Sequence, residues 1–247
     1  MKNLGLLDLG NSRYKWTTLA ALEADRLEPQ KRAYVTDSAA MELAANLSAT
    51  PVERWVVASV KGADFDAALS RALAGCQVDF VRIPANPPLP LAYHEPRQFG
   101  IDRYLNLLGA LQRYTPPLLV VDAGTAVTFD AVDTQGAHLG GCIFPGRNLL
   151  SASLKSGTRL VQPDPAAVSS LFARSTAAGV NGGIETGWYE ACHGIVRQMA
   201  REIGTPTQVV WTGGDGSRLH DANDASSHID SRLLFRGIRA SLELHES

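Results

Sequence analysis

The sequence predicts an α/β protein of two similar lobes, each a mixed β-sheet flanked by helices. Three observations carry this. Strand-like and helix-like stretches alternate along the 247 residues. An apolar strand followed by Asp-x-Gly and small hydroxyl or amide side chains occurs twice, at Asp8–Ser12 and at Asp122–Thr128. An amphipathic helix closes the first half just ahead of Pro116-Pro117, which no helix continues through. The lobes are therefore expected at 1–115 and 116–247.

In the first lobe, strands are predicted at Leu4 to Leu7, Tyr14 to Leu19, Arg32 to Thr36, Arg54 to Val60 and Val78 to Ile83. Helical patterns fall at Ala39 to Leu47 and Phe65 to Leu73. A proline-rich stretch, Pro84 to Pro96, has the length and ordered character of a functional loop. From Gly100 to Tyr114, Ile101, Leu105, Leu108 and Leu111 recur at helical spacing. The second lobe restarts with strands at Leu118 to Val121, Ala126 to Val132 and His138 to Phe144, then a helix at Arg147 to Leu154. Thr176 to Arg201 reads as a long helix interrupted in propensity by Gly179, Gly182 and Gly183. A strand at Gln208 to Trp211 leads into Thr212-Gly213-Gly214-Asp215, and Leu233 to Leu244 forms a closing helix.

Composition narrows the function classes. The chain is 45% hydrophobic and 19% charged, with a net charge of -2, so no basic surplus recommends a nucleic-acid partner. A phosphate ligand would have to be bound locally. No apolar run is long enough to span a bilayer, and Asp8 breaks the first one too early for a signal peptide. Cys76, Cys142 and Cys192 are widely spaced and odd in number, which fits a reduced, cytoplasmic setting with core thiols. The six histidines form no metal-ligand pattern.

The chemistry concentrates in the two Asp-x-Gly segments. Each delivers a carboxylate at a strand end, then a glycine that lets backbone N–H groups approach a ligand, then Asn11 and Ser12 or Thr125 and Thr128 as neutral hydrogen-bonding groups. One copy is usually a tight turn; two in matching contexts have the layout of paired phosphate clamps, with a nucleotide held between two lobes. Asp102, at a helix start that favours an ionised carboxylate, is either a general base or a helix cap. Arg103 is either a bidentate partner for a substrate carboxylate or a solvated helix arginine. Lys15, in phase with Arg13, meets a phosphate or faces solvent, and Tyr93 walls a pocket or packs its loop. Thr212 to Asp215 is either a rest for adenine or ribose or a plain turn.

Together, Asp8-Leu-Gly-Asn-Ser-Arg-Tyr-Lys15, Gly100-Ile-Asp-Arg103, Asp122-Ala-Gly-Thr-Ala-Val-Thr128 and Thr212-Gly-Gly214 resemble the ordered motif set of the type III pantothenate kinases. That family belongs to the acetate and sugar kinase, Hsp70 and actin superfamily. The resemblance implies ribonuclease-H-like (actin-like ATPase) lobes and a cytoplasmic homodimer that phosphorylates pantothenate with ATP. It implies ATP binding by Asp8, Leu9, Gly10, Asn11, Ser12, Arg13, Tyr14, Lys15 and Thr125, with Asp8 near Mg2+. It implies a monovalent cation, K+ or NH4+, at Asp122, and Asp102 as the catalytic base. Pantothenate would meet Tyr93, Gly100, Ile101, Asp102 and Arg103 of one chain and Thr176 of its partner. The rival readings are a kinase for another small hydroxy acid or sugar, and an accessory factor in transcriptional activation. Intact Asp102 and intact clamps favour the kinase.

Overall fold

The computed structural model describes residues 3–25, 29–33, 39–159, 164 and 166–244. In chain order the elements are β1 (Leu4–Leu9), β2 (Arg13–Thr18), α1 (Leu19–Glu23), β3 (Gln30–Ala33), α2 (Ala39–Leu47), β4 (Arg54–Ser59), α3 (Ala63–Ala72), β5 (Gln77–Phe80) and α4 (Ile101–Leu111). There follow β6 (Leu118–Ala123), β7 (Ala126–Val132), β8 (His138–Pro145), α5 (Arg147–Gly157), α6 (Thr176–Ile203), β9 (Gln208–Thr212), α7 (Gly216–Leu219), β10 (Ser227–Ile229) and α8 (Leu233–Glu243). Two compact units result, Met1–Tyr114 with Ser231–Ser247, and Thr115–Asp230. The division at 115/116 read from the sequence differs from this grouping at the C-terminus, because α8 packs in the first unit.

Each unit holds a five-stranded mixed sheet, β3-β2-β1-β4-β5 in the first and β10-β9-β6-β7-β8 in the second. The two have the same wiring. β1 is antiparallel to β2 and parallel to β4, and β6 is likewise antiparallel to β7 and parallel to β9. The repeated sequence motif is thus a repeated hairpin on the central strand of a repeated sheet.

The first sheet is buried on both faces. Leu7 and Leu9 join Tyr14, Trp16, Leu43, Leu47, Trp55 and Leu69 in one cluster with α2 and α3. The alternate residues Leu4 and Leu6 are also buried, on the face that α8 reaches. Helices α4 and α8 touch at backbone level. A Cβ on Gly237 would stand 1.9 Å from the Leu105 carbonyl oxygen, and one on Gly109 would stand 2.1 Å from that of Leu233.

In the second unit, Val121, Phe129 and Trp211 of the sheet pack with Trp188, Cys192 and Val196 of α6. Those three α6 residues follow one another at four-residue spacing, a single stripe on the helix. This explains why α6 runs unbroken through its glycines to Gly204, which ends it with φ +73. Each interior glycine costs about 1 kcal/mol, whereas burying each large apolar side chain returns about 1.5–3 kcal/mol.

Element ends depart from expectation for local reasons. The strand expected to reach Leu19 stops at Thr18, whose hydroxyl accepts the Ala21 N–H at 3.2 Å and caps α1. The strand expected at Arg32 to Thr36 begins earlier, at Gln30, and its residues 34–36 lie outside the described residues. Among the described residues no helix is long and apolar enough to cross a membrane. Of the three thiols expected in the core, Cys192 is buried, Cys76 is half-buried and Cys142 is exposed on the edge strand β8.

Candidate active site

The first clamp is the β1–β2 hairpin. Asp8 lies directly across from Lys15, with Nζ 3.9 Å from Oδ2, so the lysine neither faces open solvent alone nor stands apart from the carboxylate. Asn11, Ser12 and Arg13 are exposed at the tip. Leu9 and Tyr14 point the other way, into the core. Tyr14 is 1% exposed, stacks on Trp16 with ring centroids 5.5 Å apart, and its hydroxyl accepts from Asn46 Nδ2 at 2.9 Å. What these two residues offer a ligand is main chain.

The second clamp is the β6–β7 hairpin, and here Asp122 faces Thr128. Backbone closes around it from two sides. Parallel pairing of β6 with β9 sets Asp122 beside Thr212, so the Thr212-Gly213-Gly214-Asp215 turn, ninety residues away in sequence, arrives at the clamp. Gly213 has φ +87, and a Cβ there would lie 2.4 Å from Asp122 Oδ1 and 2.6 Å from the Ala123 carbonyl oxygen. Only glycine serves on both counts. Asp215 N–H donates to the Ala123 carbonyl at 2.9 Å, and Gly146 N–H to that of Thr125 at 3.1 Å. The Thr125 side chain stays exposed. Among the groups placed near Asp122 are the Ala123 carbonyl oxygen and the residues Thr128 and Thr212 on the flanking strands, oxygen donors of the kind a hard cation takes.

Arg147, which the sequence reading passed over, ties this region together. It opens α5 and is 16% exposed at its side chain. Its Nη1 donates to Glu185 Oε1 of α6 and its Nη2 to Asp215 Oδ1 at 3.0 Å, while the guanidinium lies over Trp188 at 5.7 Å. Arg218 Nη1 adds a bond to Glu185 Oε2 at 3.4 Å. The available signal was an arginine at a helix start, where the dipole disfavours a cation unless carboxylates meet it.

Near α4 the expected substrate residues come together. Gly100 is the N-cap, and Asp102 sits in the first turn, where its Oδ1 accepts the Arg103 N–H at 2.9 Å. Arg103 is not a solvated helix arginine: it is 5% exposed. Its Nη1 donates to the Tyr93 hydroxyl at 2.9 Å, and its guanidinium lies 4.5 Å from the Phe99 ring. Tyr93 meets Phe99 edge-on at 4.9 Å, so the proline-rich loop is fastened to the start of α4 through these three side chains. Ile101 is half-buried beside them.

Thr176 is exposed at the start of α6, behind the N-cap Ser175, whose Oγ accepts from Ala178 N–H at 3.3 Å. Four residues earlier in the chain, Phe172 is 95% exposed. On the edge strand β8, Leu139 and Ile143 are 51% and 61% exposed. Among the described residues no cluster of three or more His, Cys, Asp or Glu side chains could hold a metal.

Residues 5–198 match the sequence family described as type III pantothenate kinase. The type III pantothenate kinase of Halorhodospira halophila is 36% identical over 222 residues, 87% of each chain. That of Myxococcus xanthus is 36% identical over 152 residues, 61% of this chain and 59% of the relative. Among solved structures, a conserved putative Baf family transcriptional activator from Campylobacter jejuni superposes with a TM-score of 0.62 at 19% identity, covering 98% of both chains. A putative 2-dehydro-3-deoxygalactonokinase protein from Sinorhizobium meliloti superposes with a TM-score of 0.54 at 13% identity, covering 98% of this chain and 97% of that one. At such identities the two structures speak to the fold alone. The family match across most of the chain, and a relative over a third identical along nearly its whole length, show that this chain belongs to the type III pantothenate kinase family.

Proposed function

We propose that this chain transfers the γ-phosphoryl group of ATP to the primary alcohol of pantothenate, giving 4'-phosphopantothenate and ADP in the first step of coenzyme A biosynthesis. The observation that carries the reading is the start of α4, where the carboxylate of Asp102 stands next to a buried arginine fastened to Tyr93. Asp102 orients the alcohol and takes its proton as the oxygen attacks the γ-phosphorus in line. A loose transition state asks little of the base, so the orienting role matters as much as the proton. Arg103, steadied by Tyr93, is the donor for the pantothenate carboxylate, with Gly100 and Ile101 shaping the same pocket. Main-chain amides of Gly10–Arg13 and of the Thr125 hairpin hold the phosphates. Bound cations, Mg2+ held through Asp8 and K+ or NH4+ at Asp122, supply positive charge against the ATP oxygens.

The reading includes a homodimer in which Thr176 of the partner subunit completes the pantothenate pocket. The exposed Phe172, Leu139 and Ile143 support it, since a second copy covering them would remove a large apolar surface from water.

Purified protein supplied with ATP, Mg2+ and pantothenate, with and without K+, should yield phosphopantothenate by mass spectrometry. No product under these conditions would sink the reading. Replacing Asp102 by Asn should lower kcat by roughly 10² to 10⁴ with little change in the melting curve. Turnover near that of the wild type would leave Asp102 as a helix-start residue only. Mixing an inactive Asp102→Asn chain with an inactive Thr176→Val chain should restore about one working site per heterodimer. Lack of recovery in a verified heterodimer would remove Thr176 from the partner's site.

A further inference from the structure

We infer that Lys61 is a phosphate-contacting residue of the nucleotide site, an inference that rests on the ATP-dependent reading above. β4 runs parallel to β1 with Ser59 level with Leu9, so the turn after β4 lies beside the tip of the first clamp. Val60 N–H donates to the Leu9 carbonyl at 3.1 Å and locks the two strand ends together. The turn is held from beneath. Lys61 N–H donates to Ser59 Oγ at 3.2 Å, and the Ser59 hydroxyl donates to Asp66, a buried carboxylate that takes Arg82 Nη2 at 2.8 Å on its other oxygen. Gly62, at φ +90, then turns the chain into α3.

From this turn the Lys61 ammonium lies 5.5 Å from the Phe65 ring centre and reaches the main-chain carbonyl of Asn11, at 3.5 Å. That distance is long for an N–H···O bond, and the acceptor is neutral. A phosphate oxygen in the hairpin would give a shorter, charge-assisted bond roughly twice as strong. Lys15 already stands across from the Asp8 carboxylate, so those two charges offset one another. Lys61 brings a second ammonium to the tip of the first clamp, a point charge on a flexible stem suited to an anion of several oxygens.

The test compares wild type, Lys61→Met and Lys61→Arg, with folding checked by melting curves. Lys61→Met should raise both the ATP KM and the Kd of MgATP, measured by equilibrium dialysis without pantothenate, by about 10-fold or more, leaving the pantothenate KM in place. Lys61→Arg, which keeps the charge, should return both values to within about threefold of wild type. If Lys61→Met melts early, Lys61→Gln supplies the same readout. An ATP KM and Kd within about twofold of wild type in a folded Lys61→Met protein would overturn the inference. Failure of the wild type to phosphorylate pantothenate would overturn the kinase reading instead, and the dialysis would still decide whether Lys61 holds the nucleotide.

Discussion

The two hairpins share a backbone plan and differ in what stands across from the aspartate. In the first, Asp8 faces Lys15; in the second, Asp122 faces Thr128. The first clamp thus carries a countercharge on the neighbouring strand, while in the second a hydroxyl residue, Thr128, takes the lysine's place and the backbone at Gly213 crowds in on the carboxylate. A duplicated motif can fix where a carboxylate stands without fixing what neutralises it. That choice falls to one residue on the returning strand, and it sets what stands against the carboxylate before any ligand binds.

The largest expected effect contrasts how tightly the two clamps are enclosed. Gly213→Ala must place a Cβ 2.4 Å from Asp122 Oδ1 at a positive φ, so it should destabilise the protein by about 2–4 kcal/mol in urea unfolding. Gly10→Ala meets only the Arg13 carbonyl oxygen at 3.0 Å and should cost about 1 kcal/mol or less. Equal losses would show that the enclosure around Asp122 is not what sets that clamp apart.

Cation dependence is the next test. The wild type should be active in K+ or NH4+ and slow when Na+ is the only monovalent ion, and Asp122→Asn should lower activity at saturating K+ by roughly 10- to 100-fold. Asp8→Asn should instead shift the Mg2+ requirement and leave the K+ response intact. The sharper variant is Thr128→Lys, which puts an ammonium across from Asp122 as Lys15 lies across from Asp8. Its activity should no longer respond to K+. A Thr128→Lys enzyme with an undiminished K+ response would break the comparison.

The smallest effect separates the cores behind the clamps. Burial pushes the Cys192 thiol, behind the second clamp, up to about 12. The unfolded thiol begins to lose its proton near pH 8.5–9 while the folded one keeps it, so the contribution is fully present below that range and is lost as pH rises toward 12. At pH 10 the loss is about 1.4 kcal/mol. Cys192→Ala, although less stable throughout, should show a flatter decline in urea midpoint between pH 8 and 10. An identical decline in both proteins would assign the alkaline loss elsewhere.

The parts of this molecule that could be read from the sequence are local. Asp8 to Lys15 and Asp122 to Thr128 each hold strand, carboxylate, glycine and return strand within a few residues, and the structure keeps both as hairpins. The start of α4 was equally visible at Gly100–Arg103, although whether Arg103 is buried depends on Tyr93 and Phe99 reaching it from a loop. What escaped is made by distance in the chain. Arg147, Glu185 and Asp215 meet only after α5, α6 and β9 are in place. Lys61 reaches Asn11 only because β4 pairs with β1. The short β10 and α7 carry too few residues for a period to show.

The α4–α8 contact at Gly109 and Gly237 has a consequence for how the chain is made. A first unit cut after Tyr114 would keep α4 but lose its glycine-to-backbone partner, although β1 through β5 would all be present. During synthesis, the strand that carries Asp8 emerges early, yet the helix that completes its unit emerges more than two hundred residues later. The earliest-made hairpin must wait, with the α8 part of its sheet's cover missing, while the whole of the second unit is translated. A ribosome stalled between Tyr114 and Leu233 therefore holds a first unit with all five of its strands made and the α8 part of its apolar face still open, a state for chaperones to guard and proteases to find.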